Sequence, residues 1–431
     1  MAKEPLKGVI VGAGNRSRLY AAYARKHPKN LQIVGVVDPD RSRCEAIRDL
    51  YGFPEEHLFR SVKELVRGPK IGDLVINGTM DRQHVETSLP TLKAGYHLLL
   101  EKPIAVSEEE LWELVRAAEA FDRKVCICHV LRHAPFYAAI REQVAAGVLG
   151  ELMNIQAVEH VSYHHLASAF IRGKWGNEKR SGSTFLLQKC CHDLDLIAWM
   201  NSGVPLKRVS SFGNRQYFRE EQAPQGSGER CLVDCAIEPE CPYSAGRLYL
   251  GEDRLWSYYA WNEFRDEAPT QSMEAKREQL KGDHPFGRCV WRCDNDIVDH
   301  QSVAIEFANG STATLNMVGG TAKPSRSLHL LGTLGELQGV FEEGTFVIRK
   351  PDLNQPDKYA ETWFDVNIHE DTTGLSGGHG GGDLRLVEDF LKVVRGEAPS
   401  LSTTALEDSI TGHLMVFKAE EARINHVVVE L

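Results

Sequence analysis

The chain has 431 residues, 42% of them hydrophobic and 26% charged, which is typical of a soluble globular protein with two domains. Its formal net charge of -10 argues against a nucleic-acid partner, because phosphate binding needs a basic field. No stretch reaches the ~20 apolar residues that span a bilayer, and the early first strand leaves no room for a signal peptide. Ten scattered cysteines then indicate reduced thiols, so we expect a cytoplasmic protein with no membrane partner.

The N-terminal stretch LKGVIVGAGNRSRLY has the pattern of a dinucleotide-binding turn. Gly12 permits a tight turn, and Gly14 lets a pyrophosphate approach the start of the following helix. Ser17 replaces the third glycine of G-x-G-x-x-G and is small enough for close helix–strand packing. A second apolar strand, LQIVGVVDPD, ends at Asp38, which can bind both ribose hydroxyls and repel a 2′-phosphate. These signals predict NAD as the cofactor, with an Asp that merely ends a strand as the simple alternative.

Strands and helices then alternate through the first third of the chain. Strands are predicted in IGDLVINGTM, YHLLLEKPIA and KVCICHVLRH, and helices in RQHVETSLPTLKAG and SEEELWELVRAAEAF. Ser107 and Glu110 are placed for a capping box on the last of these helices. The alternation predicts a doubly wound parallel sheet with its ligand at the strand carboxyl ends. Lys102 lies at such an end, although a solvated lysine on the sheet rim is the simple alternative.

After Gly150 the pattern becomes that of an antiparallel sheet. ELMNIQAVEHVSY and VPLKRVSSFGNRQYF alternate like strands, and QSVAIEFANGSTATLNMVGG indicates a hairpin around Asn309-Gly310. RSLHLLGTLGELQGVFEEGTFVIRK adds further strands, and two helical patterns follow late in the chain. We therefore predict an α/β Rossmann domain over residues 1–128, and an α+β domain with a large, mostly antiparallel sheet over residues 129–431.

Residues 219–293 have weak periodicity and are predicted to be an insertion in the second domain. Their cysteines are irregularly spaced: Cys231, Cys235, Cys241, Cys289 and Cys293. Four thiolates could hold structural zinc, but no C-x-x-C pair is present. Packed free thiols are therefore favoured, and zinc stays open as the alternative.

The stretch SGSTFLLQKCCHDLDLIAWM, residues 181–200, places metal ligands and proton carriers side by side. On an ideal helix, at about 100° per residue, Gln188, His192 and Asp195 fall on one side. The two cysteines lie on or beside the apolar side, where free Cys behaves as a small hydrophobe. Ligands that do not converge disfavour a metal. The polar side therefore predicts proton chemistry, with a satisfied structural histidine as the alternative.

The chain resembles the Gfo/Idh/MocA oxidoreductase family, which includes glucose–fructose oxidoreductase and inositol dehydrogenase. Three stretches carry the resemblance: VIVGAGNRS, DRQHVETSLPTLKAGYHLLLEKPIA and LRHAPFYAAIREQVAAGVLGEL. It covers essentially the whole chain and implies that Lys102 reaches the nicotinamide and the substrate hydroxyl. It also implies a small carbohydrate substrate and a homodimer or homotetramer formed through the second sheet. The residues it places on or around the NAD cofactor are Asn15, Arg16, Thr79, His84 and Glu101.

The family pattern around residues 181–200 is D-x-G-x-H-x-x-D. His192 and Asp195 match its second half, but Gln188 stands in place of the first Asp and Lys189 follows it. A neutral Gln188 cannot tune the histidine, and an inward Lys189 would disfavour its protonation. R-G-x-W and H-G-G-G-D stretches resemble NAD-dependent glycosidases of the family, with a flexible glycine loop as the alternative for the second. The further candidates for catalysis or substrate binding are His129, His165, Arg172, Trp175, His379 and Asp383.

Three functions stay open at this point. The leading hypothesis is hydride transfer between NAD and a carbinol of a sugar, polyol or sugar derivative, with Lys102 stabilising the alkoxide and His192 taking the proton. The second is an NAD-dependent glycoside hydrolase that uses transient C3 oxidation, elimination and water addition, with Lys189, His165 or Asp383 as a second base. The third is a non-catalytic cofactor sensor, which the intact lysine argues against. No metal is expected in any of them.

Overall fold

The structure is a computed structural model that describes residues 4–251, 256–261, 269–366 and 381–431. Its element order is a run of alternating strands and helices, followed by a second sheet with helices on one side. Within the described ranges, no helix is both long enough and apolar enough to cross a membrane.

The first sheet has six strands, all parallel, in the order 3-2-1-4-5-6. They are β1 (Leu6–Val11), β2 (Leu31–Val37), β3 (Leu58–Phe59), β4 (Leu74–Asn77), β5 (His97–Leu100) and β6 (Val125–Ile127). The helices between them are α1 (Asn15–Ala21), α2 (Tyr23–Lys26), α3 (Arg41–Tyr51), α4 (Val62–Arg67), α5 (His84–Lys93) and α6 (Glu108–Ala120). The strands are apolar because helices cover both faces of a parallel sheet. The predicted doubly wound fold is confirmed, and the Ser107 side chain caps α6 by accepting from Glu110 N.

The second sheet has nine strands, in the order 14-13-12-11-7-10-9-8-15. They are β7 (Leu152–Ser162), β8 (Leu206–Asn214), β9 (His300–Phe307), β10 (Thr312–Thr321), β11 (Ser325–Gly332), β12 (Glu336–Val340), β13 (Thr345–Pro351), β14 (Tyr359–Asp365) and β15 (Val429–Glu430). The pairing of β7 with β10 is parallel, and the other pairings are antiparallel. The mostly antiparallel sheet is thus confirmed. So is the hairpin at Asn309-Gly310, where Gly310 has φ +85°.

The remaining helices belong to the part of the chain after β6. They are α7 (Pro135–Ala145), α8 (Tyr163–His165), α9 (Glu178–Ser181), α10 (Cys191–Met200), α11 (Ala245–Leu250), α12 (Tyr258–Trp261), α13 (Met273–Lys281), α14 (Gly382–Val394) and α15 (Leu406–Asn425). Leu166–Ile171 and Leu186–Cys190 are π-helical. Short 3₁₀ turns span Glu55–His57, Asp81–Gln83, Val130–His133, Glu220–Gln222, Pro285–Gly287, Val290–Arg292 and Phe341–Glu343.

Helix α14 packs on the first sheet although it lies near the end of the chain. Its Leu384, Val387 and Phe390 are buried in one apolar cluster with Ile10 of β1 and Ile33 of β2. Their burial removes apolar surface from water, which is the main stabilising term in folding. The late helix is therefore part of the core of the first sheet.

Helix α15 links the cores of both sheets. Leu406, in its first turn, joins the apolar cluster on the other face of the first sheet. Met415, Val416 and Ala419 join the large core under the second sheet. Part of residues 219–293, around Tyr249 and the helices α11, α12 and α13, forms a separate small cluster. Tyr243, Cys289 and Trp291 of the same segment join the large core instead.

The crossing of α15 with α10 depends on the glycine at position 412. A Cβ built on Gly412 would lie 2.8 Å from Asp195 Cα and 3.0 Å from Asp195 N, so backbone rather than a movable side chain blocks it. We expect Gly412→Ala to lower the free energy of unfolding by about 1–3 kcal/mol, measured by chemical denaturation. Gly68→Ala is the control, because a Cβ on Gly68 meets nothing within 4 Å. Equal stability of the Gly412 variant and the wild type would contradict the prediction.

Candidate active site

The carboxyl edge of the first sheet brings the predicted cofactor residues together. Gly12 follows β1, Asp38 follows β2, Thr79 lies just beyond β4 and Glu101 follows β5. In this strand order the sequence of strands reverses between β1 and β4, which opens a crevice at their carboxyl ends. Dinucleotides bind in that crevice in doubly wound sheets.

The glycine turn after β1 has room for a pyrophosphate. Gly12 has φ +80°, and a Cβ there would lie 2.9 Å from Thr79 N. Beside Gly14, by contrast, a Cβ would meet nothing within 4 Å, and no side chain caps the start of α1. Ser17 lies fully buried behind the turn, where a Cβ on Gly78 would overlap its Oγ. Open space next to uncapped backbone N–H groups fits an anionic diphosphate.

Asp38 fixes the shape of the same turn. Its Oδ2 accepts from Ala13 N at 2.8 Å and its Oδ1 accepts from Asp40 N at 2.9 Å. Each carboxylate oxygen can accept more than one hydrogen bond, so both retain capacity for ribose hydroxyls. The position supports the assigned role of Asp38 in NAD binding.

A partly buried ion cluster centred on Arg16 lies beside the glycine turn. Arg16 Nε donates to Glu101 Oε1 at 2.8 Å, and its Nη2 donates to Asp383 Oδ1 at 2.6 Å and to the Tyr20 hydroxyl. Glu101 Oε2 also accepts from Lys102 N at 2.9 Å, so the cluster holds the backbone that carries the lysine. Asp383 is 3% exposed here, at the start of α14, rather than in the substrate cleft.

His84 and Asn15 have different surroundings. The His84 ring is fully buried, with Nδ1 2.6 Å from Pro103 O and Nε2 3.1 Å from Thr79 O. It therefore connects the loop after β4 to the segment after β5, at the edge of the sheet where the cofactor is expected. Asn15 is exposed in the first turn of α1.

Lys102 bridges the two domains. Its Nζ donates to Gln188 O at 2.6 Å, so Gln188 contributes its backbone carbonyl to this contact. That carbonyl belongs to the π-helical segment Leu186–Cys190, which precedes α10. The ideal-helix projection used in the sequence analysis is wrong here, because a π-helix has a different period. All ten residues of α10 are buried, so the helix has no solvent-facing polar side.

Three histidines lie together next to Lys102. The His129 ring centroid is 5.6 Å from that of His192 and 5.3 Å from that of His413. Burial, with the charges of Arg132 and Lys102, lowers the pKa of His129 well below its usual value. Neither His129 ring nitrogen has a hydrogen-bond partner among the described residues. The three rings thus form a buried cluster, and the His129 ring in it stays neutral.

The tautomer of His413 follows from its contacts. Its Nε2 accepts from Ile104 N at 2.9 Å, so Nδ1 carries the proton and faces Ser409 O at 3.2 Å. Burial lowers the pKa of His413 to about 3. It thus anchors the segment after Lys102 to α15 rather than exchanging protons.

Asp195 was expected beside His192 on a polar side, but a guanidinium engages it instead. Arg132 donates to both carboxylate oxygens, at 2.6 and 2.7 Å, and both side chains are 1% exposed. Arg132 also donates to Thr403 O at 3.0 Å and to Asp408 O at 2.9 Å. His129 Nε2 lies 3.6 Å from Asp195 Oδ1. Asp195 is therefore a positioning residue beneath the histidines.

Lys189 belongs to a second buried ion network, on the inner face of the second sheet. Its Nζ lies 3.2 Å from Glu159 Oε1, and Glu159 also pairs with Arg326. Arg326 Nε donates to Asp193 Oδ1 at 3.0 Å. Burial lowers the pKa of Lys189, and the Glu159 charge opposes that shift. The lysine charge is thus compensated by Glu159 rather than directed at His192.

Three other candidates, Arg172, Trp175 and His165, each have different neighbours. Arg172 is 6% exposed, and its guanidinium donates to Arg288 O at 2.7 Å and to Tyr243 O at 2.8 Å. It therefore lies in the packing of residues 219–293, away from a substrate. Trp175 Nε1 donates to Asp81 in the loop after β4, at 3.2 Å. His165 stacks on Trp256, with ring centroids 3.8 Å apart.

His379 lies outside the described residues. The five cysteines of residues 219–293 are free thiols, and four of them line one small cavity: Cys231, Cys235, Cys241 and Cys289. Burial raises the pKa of Cys289 to about 11, which keeps its thiol protonated. In the part of the chain that the structure describes, no group of three or more His, Cys, Asp and Glu side chains could hold a metal ion.

Several residues of the site were missed from the sequence. They are Arg132, Glu159, Asp193, Trp256, Arg326 and His413. Their partners are distant in sequence, 63 residues for Arg132 with Asp195 and 133 for Arg326 with Asp193, and no local pattern links such pairs. The one available signal was a charge inside an apolar stretch, as for Glu159 in ELMNIQAVEHVSY.

Comparison with known families finds matches along most of the chain. Residues 6–129 match an oxidoreductase family described as an NAD-binding Rossmann fold, and residues 141–412 match the C-terminal alpha/beta domain of the same family. The crevice described above lies within the first of these matches.

Two relatives and one solved structure illustrate the similarity. The putative oxidoreductase YteT of Bacillus subtilis (strain 168) is 23% identical over 88% of this chain and 88% of its own length. The D-glucoside 3-dehydrogenase of Escherichia coli (strain K12) is 30% identical over 35% of this chain and 42% of its own length. A levoglucosan dehydrogenase in complex with NADH and levoglucosan has a TM-score of 0.69 at 15% identity, with 99% of each chain covered. At that identity the last similarity shows the fold alone.

The ion network around Asp193 predicts a pH-dependent stability. Burial and the nearby Glu159 raise the pKa of Asp193 from 3.8 to about 7, against the opposing charge of Arg326. The folded chain therefore holds a proton that the unfolded chain releases, so this stabilisation is complete below about pH 4 and is lost as the pH rises through about 7.

We expect wild type to lose stability relative to Asp193→Asn between about pH 4 and pH 7, by up to about 1.4 kcal/mol per pH unit. Chemical denaturation at several pH values measures this difference. Asp294→Asn is the matched control, because the Asp294 side chain is 68% exposed. Parallel pH profiles of wild type and the Asp193 variant would contradict the prediction.

Proposed function

Because the chain belongs to the Gfo/Idh/MocA oxidoreductase family and carries its NAD-binding Rossmann domain, we propose that it oxidises a carbinol of a sugar, polyol or sugar derivative with NAD. The similarity to the D-glucoside 3-dehydrogenase named above supports this substrate class. The family resemblance noted in the sequence is itself confirmed.

The position of Lys102 next to His192 is the main support for this proposal. The ammonium of Lys102 reaches from the end of β5 to Gln188 O, at 2.6 Å, one turn before His192. A cation and an imidazole at the carboxyl edge of an NAD-binding sheet are the two groups that oxidation of an alcohol requires. The contact also leaves the ammonium with two further N–H donors for a substrate oxygen.

The residues of the site have different roles in the proposed reaction. Bound NAD supplies the hydride acceptor. Lys102 donates a hydrogen bond to the reacting hydroxyl oxygen and stabilises the negative charge that develops there. His192 accepts the hydroxyl proton. His129 and Asp195 hold the region behind His192 in place and keep water from it, since both are at most 1% exposed.

The glycosidase alternative receives less support. It needs a second base in the cleft, and two of the three candidates are engaged elsewhere. Lys189 pairs with Glu159 at 3.2 Å, and Asp383 pairs with Arg16 at 2.6 Å. His165 alone keeps a position near the lysine. A screen of sugars and aryl glycosides that follows both NADH and released aglycone separates the two functions, and a sensor would give neither signal.

The preference for NAD over NADP is also a proposal. Asp38 lies where the ribose hydroxyls are expected, and its carboxylate would repel a 2′-phosphate. Its contact with Ala13 N, at 2.8 Å, holds it against the glycine turn.

The expected homodimer or homotetramer stays a prediction, to be measured by light scattering. The second sheet has an outward face on which Phe212 is 77% exposed and Val318 is 39% exposed. An exposed phenylalanine on a sheet supports a contact between copies there.

The role of Lys102 predicts a selective loss of turnover. We expect Lys102→Ala to lower kcat/KM by about 10²- to 10³-fold, because a donor to the developing alkoxide is lost. Binding of NAD, followed by cofactor fluorescence, should change little. Lys207→Ala is the control, since that side chain is 54% exposed on β8. A fully active Lys102 variant would contradict the proposed role of Lys102 in catalysis.

The role of Asp38 predicts a change of cofactor preference. We expect Asp38→Ser to raise the KM for NAD by about tenfold or more and to improve use of NADP, because the carboxylate that pairs with ribose and repels phosphate is gone. Steady-state kinetics with both cofactors measures this, with Asp73→Ser as the control, since its Oδ2 accepts from Lys7 N away from the edge. An unchanged NAD/NADP ratio would refute the role.

A further inference from the structure

An aromatic surface borders the proposed active site. It consists of His165, Trp175, Trp256, Tyr258 and Tyr259, and we call it the aromatic wall. His165 and Trp256 stack with centroids 3.8 Å apart and planes 5° apart. Trp256 lies 5.8 Å from Tyr259 between ring centroids, and Tyr259 lies 6.1 Å from Trp175. The five rings thus form one continuous surface rather than separate contacts.

One end of the aromatic wall is fixed to the cofactor edge. Trp175 Nε1 donates to Asp81 Oδ2 at 3.2 Å, and Ser183 Oγ donates to the same oxygen at 2.6 Å. Asp81 is 4% exposed and lies two residues beyond Thr79, in the loop after β4. The wall therefore starts where the dinucleotide crevice ends.

The other end lies beside the segment that binds Lys102. His165 follows β7, whose Glu159 pairs with Lys189 at 3.2 Å, and Gln188 O, next to Lys189, accepts from Lys102 Nζ at 2.6 Å. Burial lowers the pKa of His165 well below its usual value, and the charges of Lys189, Arg326 and Lys102 add to this shift. The aromatic wall therefore extends from the loop after β4, where Trp175 donates to Asp81, to the segment after β7, the strand that carries Glu159.

The rings of the aromatic wall are only partly buried, in contrast to the rings behind them. All five of its residues are of intermediate exposure. Phe170, which packs behind them 5.6 Å from His165 and 6.1 Å from Trp175 between ring centroids, is 2% exposed, and Phe185 next to it is 1% exposed. The wall is thus a supported surface with area left for a ligand rather than the interior of a core.

Residues 219–293 supply three of the five residues of the aromatic wall. Trp256, Tyr258 and Tyr259 belong to this segment, and α12 packs on the π-helical segment Leu166–Ile171. A surface of aromatic faces next to polar groups is how small-molecule sites bind the apolar face of a ring.

We propose that the aromatic wall is a binding subsite for a second ring attached to the sugar that is oxidised. The substrate is then a glycoside, with its reacting sugar at Lys102 and its anomeric substituent stacked on Trp256. The inference rests on the proposed oxidation of a sugar carbinol and adds the substrate class. The aromatic wall is formed by neutral rings, so a neutral sugar or aryl ring fits it better than a charged group.

The test uses matched ligands that differ only in the second ring. Methyl and phenyl β-D-glucopyranosides, galactopyranosides and mannopyranosides are titrated into the NAD-loaded protein by calorimetry. We expect the phenyl member of at least one pair to bind about tenfold more tightly than the methyl member. Trp256→Ala should remove this difference, and Trp256→Phe should keep most of it. Trp363→Ala is the matched control, because that indole is 63% exposed on β14.

The outcomes separate this proposal from the proposed function. Turnover of methyl glycosides or free polyols, with equal binding of both members of every pair, would overturn the subsite and leave the oxidoreductase function standing. A phenyl advantage that depends on Trp256, without NADH formation, would support the subsite and count against the oxidation. Absence of binding by every pair would overturn the subsite. Thermal unfolding of the Trp256 variants, matched to wild type, excludes misfolding as the cause of a lost difference.

Discussion

A buried ion pair between Arg132 and Asp195 holds the region behind the candidate site together. The guanidinium bonds both oxygens of the carboxylate and also two main-chain carbonyls around the start of α15. It thereby joins the segment after β6, the helix that carries His192 and the helix that links the two cores. Removing one partner would leave an uncompensated charge in the interior, which costs far more than the pair contributes. The positions of His129, His192 and His413 therefore depend on this one contact.

The candidate site lies between two compensated charge clusters. On the cofactor side Arg16 is shared by Glu101 and Asp383, and on the side of the second sheet Glu159 is shared by Lys189 and Arg326. Buried charges that are paired in this way are fixed in position, because moving any of them exposes an unpaired partner. The three buried histidines and the half-buried Lys102 lie between them. Lys102 is thus a cation at this edge that is placed to meet a developing negative charge.

Local signals explain what could be predicted from the sequence. Gly12 and Asp38 directly follow an apolar strand and Lys102 comes two residues after one, so strand, turn and residue type agree within a few positions. The hairpin at Asn309-Gly310 was predictable for the same reason. Contacts between distant segments were not. The π-helical segment Leu186–Cys190 turns Gln188 away from the direction that an ideal helix gives it relative to His192 and Asp195. The partner of Asp195, Arg132, lies 63 residues away, and no local pattern links the two.

The position of α14 has a consequence for how the chain is made. Its apolar residues complete one face of the first sheet, next to the strands formed by the earliest part of the chain. Domains generally fold as units while a chain emerges from the ribosome, the N-terminal one first. Here the first sheet has to wait, with that face uncovered, until residues 382–394 have been synthesised after almost the whole second domain. The core of the NAD-binding domain can therefore be completed only after β7 to β14 of the second sheet have been synthesised.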